Sequence, residues 1–177
     1  LDKMVDHVPG GAVVTQNVDG LHSAEVVHEV HGSLLRFRCD HCGDVQSTVT
    51  VEETSEGGQP SGGRVDGISA IEFYKTYVPK LLDRSGAVRY HTVCNSCRTE
   101  GHIRPDVVLF GEAARIPAPV IASKRAEAAF GAVIVVGTAG DVYPSSAIAQ
   151  HVAQRCSCPV AVVDPAMTRL MQGSRCD

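Results

Sequence analysis

Residues 11–22 read GAVVTQNVDGLH and decide the fold class, because a short apolar run here ends abruptly in polar residues. The first five residues follow a Pro-Gly turn signal and are rich in β-branched side chains, a pattern typical of a buried parallel strand. The runs VIVVGT (133–138) and PVAVVD (159–164) repeat the pattern, and helical stretches at 117–130 and 144–155, each opened by a proline, precede them. This alternation predicts an α/β fold with a Rossmann-like parallel sheet.

Residues 37–103 break the alternation and are predicted to form an inserted module. They hold two cysteine pairs, CDHC (39–42) and CNSC (94–97), around an interior rich in Gly, Ser and Glu that should bury little surface. Each pair has the spacing at which a tight knuckle presents two sulfurs to one tetrahedral zinc ion. The predicted ligands are Cys39, Cys42, Cys94 and Cys97, a closed set that indicates a structural metal. The predicted domains are a Rossmann-like domain over 1–36 and 104–177 and a zinc-ribbon module over 37–103.

Composition and charge exclude several classes of protein. The chain has 177 residues, of which 44% are hydrophobic, enough for one sizeable core and a smaller lobe. The formal net charge of -4 offers no basic field to a nucleic-acid backbone, so direct nucleic-acid binding is not expected. No run approaches the roughly 20 apolar residues of a membrane span, and the seven cysteines come without a secretion signal. We expect no membrane association and a cytoplasmic location, or a mitochondrial one in a eukaryote.

Five motifs follow one another along the rest of the chain. They are TQNVDGLH (15–22), EVHGS (29–33), RPDVVLFGE (104–112), VVGTAGDVYP (135–144) and VVDP (162–165). With the cysteine pairs, they resemble the sirtuins in order and spacing, and their forms are most similar to the class III branch. The resemblance implies an NAD-dependent protein-lysine deacylase, of deacetylase or desuccinylase type, that releases nicotinamide and O-acyl-ADP-ribose. Its cofactors would be NAD and zinc, and its partner an acyl-lysine protein or peptide.

The polar residues that follow the first strand are the candidate cofactor ligands. They are predicted to lie at the carboxyl end of a parallel strand, where open α/β sheets bind ligands, although loop capping is the alternative. The resemblance assigns Gln16 and Asn17 to the nicotinamide-ribose side of NAD and Asp19 to the carboxamide or its supporting network. The adenosine side would be bound by Gly137, Thr138, Ala139 and Asp164. Ala139 stands where many sirtuins carry serine, and Asp164 where they usually carry asparagine. A hydroxyl contact is thereby lost and a carboxylate is brought near the phosphates, which predicts weaker NAD binding.

His31 of EVHGS is the candidate catalytic residue. The resemblance makes it the general base that activates a ribose hydroxyl, whereas His28 lacks the following glycine and His22 is expected to hold its loop. The apolar run 107–110 should offer a substrate peptide an extended backbone edge and apolar walls, although an ordinary buried strand is the alternative. By resemblance, the substrate contacts are Val108, Phe110, Gly111, Glu112 and Tyr143.

One sirtuin motif does not occur in these 177 residues, namely the glycine-rich GAGxS loop that cradles the NAD pyrophosphate. We therefore expect the sequence to be a fragment that lacks an upstream segment, with weak or no NAD binding by itself. Two alternatives to the deacylase remain open. One is a catalytically impaired or non-enzymatic, zinc-stabilised interaction module. The other is a mono-ADP-ribosyltransferase that uses the same pocket.

Overall fold

The computed structural model describes residues 2–54, 60–80, 88–113, 130–138 and 145–165. In chain order the strands are β1 (Val13–Thr15), β2 (Val27–Glu29), β3 (Gly32–Cys39), β4 (Val45–Gln46), β5 (Thr48–Thr54), β6 (Pro60–Ser69), β7 (Tyr90–Val93), β8 (Ile103–Val107), β9 (Val133–Val136) and β10 (Val160–Val163). The helices are α1 (Asp2–Asp6), α2 (Ala70–Thr76) and α3 (Ser145–Cys156), with a 3-10 turn at Val78–Lys80. Among these residues, no helix is long and apolar enough to cross a membrane.

The three strands predicted from apolar runs are present as β1, β9 and β10. Strand β1 pairs in parallel with β2, and β9 pairs in parallel with β10, as an α/β fold requires. The predicted helix at 144–155 is confirmed as α3. The one predicted at 117–130 falls, except for its last residue, outside the described residues.

Helix α3 covers one face of the β9–β10 pair. Ile148 and Val152 of this helix are buried against Val30, and Ala149 is buried against Val135 of β9. The opposite face of β9 is open, with Ile134 and Val136 50% and 49% exposed. The prediction that these runs are buried strands was therefore wrong for one face of β9 and for most of β10, since among the described residues α3 is the helix that packs against the pair.

The chain divides into two compact units. The first contains residues 1–16, 22–31 and 108–177, and the second contains 17–21 and 32–107. The first unit holds both parallel pairs. The second is antiparallel and consists of two three-stranded sheets, ordered β4-β3-β8 and β6-β5-β7.

The second unit has a hydrophobic core of its own. Its buried residues are Phe37, Val49, Val51, Ile68 and Ala70, and partly buried aromatic side chains surround them. The Gly- and Ser-rich interior, expected to bury little surface, contributes β6, which pairs with β5 from Thr54↔Pro60 to Thr48↔Ser69. Residues 61–67 of β6 are exposed, so that stretch buries little surface, as predicted, although it is a strand. Backbone hydrogen bonding to β5 outweighed its weak strand propensity.

Candidate metal centre and cofactor-binding edge

The four predicted zinc ligands lie together in the second unit. The sulfur atoms of Cys39, Cys42, Cys94 and Cys97 are all within 4.8 Å of one another. Cys39 Sγ lies 3.7 Å from Cys97 Sγ, and Cys42 Sγ lies 3.7 Å from Cys94 Sγ. A tetrahedral zinc ion with Zn–S bonds of about 2.3 Å separates neighbouring sulfurs by about 3.8 Å. The cluster therefore fits zinc, and all four cysteines are free rather than disulfide-bonded.

The two cysteine pairs lie on separate backbone turns that have the same geometry. The N–H of Gly43 donates to the carbonyl of Cys39 at 2.8 Å, and the N–H of Arg98 donates to the carbonyl of Cys94 at 3.0 Å. Both donors have positive φ angles, 78° at Gly43 and 63° at Arg98. Glycine adopts this conformation readily, whereas arginine does so at a cost. The two knuckles are thus one structure repeated, with an unfavourable residue in the second.

The thiols differ in acidity although they share one cluster. Hydrogen bonds from the Thr99 side chain and backbone lower the pKa of Cys97 to about 6. The pKa of Cys42 is raised to about 12: a backbone hydrogen bond at Asp44 lowers it, but desolvation and the other three cysteines oppose that effect. Four thiolates in one place repel one another, and a divalent cation removes that repulsion. The cluster is therefore suited to a cation rather than to four free thiols.

Polar side chains join the two knuckles to the strands around them. The Ser96 hydroxyl donates to Asp44 Oδ2 at 2.6 Å, which links one knuckle to the other. The side-chain oxygen of Asn95 accepts a hydrogen bond from the Thr50 hydroxyl, and its Nδ2 donates to the carbonyl of Thr48 at 2.9 Å. The backbone N–H of Asn95 donates to the side chain of Gln46. These bonds anchor the second knuckle on β4 and β5. His41, which lies between the two cysteines of the first pair, is not in the cluster, and its ring lies 5.8 Å from that of His102.

In the first unit, two candidate residues follow the ends of the parallel pair β1–β2. Its last register pair is Thr15↔Glu29, and the N–H of Val30 donates to the carbonyl of Thr15 at 3.0 Å. Gln16 and His31 come directly after these positions, and both are half-buried. The fold therefore brings an amide and an imidazole to the carboxyl edge of one pair, where α/β sheets bind ligands.

The pair β9–β10 has the same arrangement at its end. Val136 pairs with Val163, and the N–H of Gly137 donates to the carbonyl of Val163 at 3.0 Å. Gly137 and Asp164 follow at the carboxyl edge, next to Thr138. Gly137 has a φ of +60°, and no atom of the described residues lies within 4 Å of the place where a Cβ would stand. A glycine at the carboxyl edge of a parallel pair is where a ligand can approach the backbone closely.

The loop after β1 is fixed from two directions. In the second unit, the carboxylate of Asp19 accepts a hydrogen bond from the N–H of Leu21 at 3.1 Å, which is the loop-capping contact considered as the alternative role. In the first unit, His22 Nδ1 lies 2.9 Å from Asp2 Oδ1, and the N–H of Ser23 donates to Asp2 Oδ2 at 2.7 Å. The expectation that His22 holds the loop is confirmed.

The candidate substrate segment has a different shape from the one predicted. The N–H of Val108 donates to the carbonyl of His31 at 2.9 Å, so this part of its backbone edge is already used. Residues 109–112 close a turn: the N–H of Glu112 donates to the carbonyl of Leu109, and Glu112 Oε2 accepts from the N–H of Leu109, both at 3.0 Å. The predicted extended edge was therefore wrong for residues 109 and 110, because the chain turns there and Gly111, with a φ of +88°, reverses it, whereas Val107 does lie in strand β8. The turn leaves Phe110 fully exposed.

Two predicted site residues, Ala139 and Tyr143, lie outside the described residues. Sequence reasoning also missed two features of the second unit. These are the buried carboxylate of Asp106, which pairs with Arg36, and the left-handed Arg98. The position of Arg98, directly after CNSC as Gly43 follows CDHC, was the one signal that could have indicated its turn.

Comparison with known proteins agrees with this arrangement. The profile of the Sir2 family matches residues 1–144. The NAD-dependent protein deacylase Sir2 of Mycolicibacterium smegmatis is 34% identical over 164 residues, which are 89% of this chain and 53% of the relative. The mitochondrial NAD-dependent protein deacylase sirtuin-5 of Danio rerio is 31% identical over 152 residues, 84% of this chain and 45% of the relative.

The solved structures lead to the same family. A mutant Sir2 homologue in complex with ADP-ribose matches with a TM-score of 0.57 and 27% identity, over 91% of this chain and 51% of that one. A second Sir2 structure, with a p53 peptide and NAD+, has a TM-score of 0.56 but only 21% identity, and shows the fold alone.

Fold and site together define an α/β protein with a four-cysteine, metal-binding insertion. The chain belongs to the Sir2 family. It spans about half the length of the curated relatives it matches.

Proposed function

We propose that the protein to which this chain belongs is an NAD-dependent protein-lysine deacylase. The observation that carries the proposal is that Gln16 and His31 both follow the carboxyl edge of β1–β2, in a chain of the Sir2 family. Relatives at 34% and 31% identity are named NAD-dependent protein deacylases. The substrates would be NAD and an acylated lysine of a protein or peptide.

Each candidate residue has a role that its position supports. Gln16, with the loop residues Asn17 and Asp19, would bind the nicotinamide-ribose part of NAD. Gly137 and Asp164 would receive the adenosine part, because they lie at a carboxyl edge and no described residue crowds the left-handed glycine. Bound NAD would supply an electrophilic ribose carbon and a nicotinamide leaving group.

His31 would take a proton from a ribose hydroxyl. Histidine is the side chain best suited to accepting a proton near neutral pH, and a half-buried edge position leaves the ring accessible to substrate. The backbone hydrogen bond from Val108 to the His31 carbonyl links this base to the segment assigned to the peptide. Phe110, Gly111 and Glu112 of that segment form the exposed turn, and the aromatic ring offers an apolar surface to an acyl-lysine stem.

The zinc site would have a structural role. Four sulfurs fill the tetrahedral shell, so no coordination position remains for a water or a substrate. Cys39, Cys42, Cys94 and Cys97 would hold the metal and stabilise the second unit.

The test is turnover of acetyl- and succinyl-lysine peptides, with release of nicotinamide measured and the product identified by mass. The expected result is nicotinamide release that requires both NAD and the acyl peptide. His31→Ala should abolish it, whereas His28→Ala is the matched control, since His28 lies three residues earlier in β2 and is also half-buried. Turnover that survives His31→Ala would contradict the assignment. A product in which ADP-ribose is attached to the peptide would indicate mono-ADP-ribosyl transfer instead.

A further inference from the structure

A three-residue bulge interrupts β3 in the second unit. Ser33 pairs with Asp106 on β8, but the next register pair is Phe37↔Pro105. Residues 34–36 therefore have no opposite residues on β8, and the pairing of the two strands is interrupted there. Leu34 and Leu35 are 38% and 40% exposed on this bulge. Because these two leucines remain so exposed, their burial cannot by itself fix the conformation of the bulge. Other contacts must therefore determine the shape of the bulge.

An ion pair between β3 and β8 holds the last residue of the bulge. Asp106 is 1% exposed, and a buried carboxylate is unfavourable without a partner. Arg36, the last residue of the bulge, donates from Nε to Asp106 Oδ2 at 3.2 Å, and its side chain is 40% exposed. Charge-assisted hydrogen bonds of this kind are stronger than neutral ones. Arg36 is therefore tied to the opposite strand, and the residues before it must bend.

The first two residues of the bulge contact the loop 17–21. The N–H of Leu34 donates to the carbonyl of Val18 at 2.7 Å. Gly20 lies so close to Leu35 that a Cβ at that glycine would be 2.4 Å from Leu35 Cδ1. The N–H of Leu35 also donates to Ser33 Oγ at 3.2 Å, which restrains the middle of the bulge. The loop thus rests on a surface whose form depends on residues 34–36.

We propose that Arg36 and Asp106 are positioning residues that set the place of the loop 17–21. The ion pair fixes the bulge, the bulge fixes the loop, and the loop carries Asn17 and Asp19. The consequence for NAD binding rests on the proposed function, since Asn17 and Asp19 are its candidate cofactor ligands. The position of the loop does not depend on the proposed function and can be measured by itself.

Amide hydrogen exchange on the whole zinc-loaded chain tests the loop directly. Asp106→Asn and Arg36→Met should each raise exchange at residues 17–21 and at Leu34 by roughly tenfold, the size expected for a lost charge-assisted hydrogen bond. The double variant should add little to either single variant, because both remove the same contact. Arg36→Lys keeps the charge and should restore part of the protection.

Glu53→Gln is the matched control. It neutralises one partner of Arg89 in the same unit, an ion pair with an N···O distance of 3.1 Å whose residues do not belong to the bulge. The control should leave exchange at 17–21 unchanged. Unchanged loop exchange in both Asp106→Asn and Arg36→Met would overturn the proposal. So would a uniform rise across the whole second unit, since that result indicates general destabilisation.

The kinetic readout separates this inference from the proposed function. If the protein is a deacylase, Arg36→Met should raise the KM for NAD by roughly tenfold and leave the KM for the acyl peptide unchanged. Absence of turnover in the wild-type protein would contradict the proposed function, but the exchange result would still decide whether the ion pair positions the loop. An equal rise in both KM values would overturn the link to Asn17 and Asp19.

Discussion

The second zinc knuckle should become more stable when Arg98 is replaced by glycine. Arg98 and Gly43 hold the same place in the two knuckles, each donating its N–H to the carbonyl of the first cysteine of its pair. The φ angle of Arg98 is 63°, a left-handed conformation that costs a residue with a Cβ about 1–2 kcal/mol. Glycine avoids that cost but loses about 0.5–1 kcal/mol through the entropy of the unfolded chain. The net gain should therefore be about 0.5–1 kcal/mol.

Arg98→Ala is the reference variant in this experiment. The arginine side chain contributes, after Thr50 and Arg64, to lowering the pKa of Asp66, and both the glycine and the alanine substitution remove that attraction. Alanine removes the same side chain and keeps the left-handed strain, so the difference between the glycine and alanine variants isolates the backbone. In the opposite sense, Gly43→Ala should destabilise the first knuckle by about 1 kcal/mol.

Thermal unfolding in zinc-saturated buffer measures these differences. A change of 1 kcal/mol shifts the Tm of a protein of this size by about 2–4 °C. We expect Arg98→Gly to melt about 1–4 °C above Arg98→Ala, and Gly43→Ala to melt about 2–4 °C below wild type. Equal melting of Arg98→Gly and Arg98→Ala would refute the reasoning, because the left-handed turn would then not limit the stability of the knuckle.

Four further predictions concern single contacts. A chelator should unfold the second unit, seen as loss of circular dichroism strand signal, and Cys39→Ser should do the same, whereas Cys158→Ser outside the cluster should not. Tyr74→Phe should raise the free energy of unfolding by about 1 kcal/mol, since the buried hydroxyl has no hydrogen-bond partner within the described part of the chain. A lower free energy of unfolding on urea titration would count against this reasoning. Gly20→Ala should destabilise more than Gly101→Ala, because both have left-handed φ angles but only the Cβ at position 20 meets a neighbour, and equal losses by thermal unfolding would refute the clash. Hydrogen bonds from the N–H of Ser23, and then from His22, lower the pKa of Asp2, so this carboxylate stabilises the fold above about pH 4 and loses that effect as the pH falls further. Asp2→Asn should flatten that part of the pH dependence of the free energy of unfolding, and an unchanged profile would contradict the assignment.

The parts of this fold that sequence predicted well are those with local signals. Each cysteine pair is a four-residue motif, and its spacing alone indicated the cluster that the structure brings together. The runs of β-branched residues at β1, β9 and β10 likewise contain their own strand signal. Residues that follow such strands, Gln16 and Gly137 among them, could be placed at a carboxyl edge without knowing the rest of the chain.

The features that sequence did not predict depend on contacts between distant segments. Strand β6 is poor in strand formers and exists because β5 supplies its hydrogen bonds. The bulge at 34–36 depends on Asp106, which lies 70 residues from Arg36 along the chain. The turn at Leu109–Glu112 was missed for a different reason, since an apolar run suggested a strand while Gly111 set the reversal. That interpretation gave more weight to the apolar residues of the run than to one glycine. The backbone shows that the positive φ of Gly111 determines where the chain turns.

The zinc cluster also acts as a cross-link between distant parts of the chain. Cys42 and Cys94 are 52 residues apart in sequence, and a bond that closes a loop of this length restricts the unfolded chain by about 4 kcal/mol in the loop-entropy treatment of disulfides. A metal differs from a disulfide in that it can dissociate. While the site stays well occupied, each tenfold fall in free zinc should therefore remove about 1.4 kcal/mol from the stability of the second unit. The availability of zinc in the cell thus becomes a quantitative determinant of how much of this protein is folded.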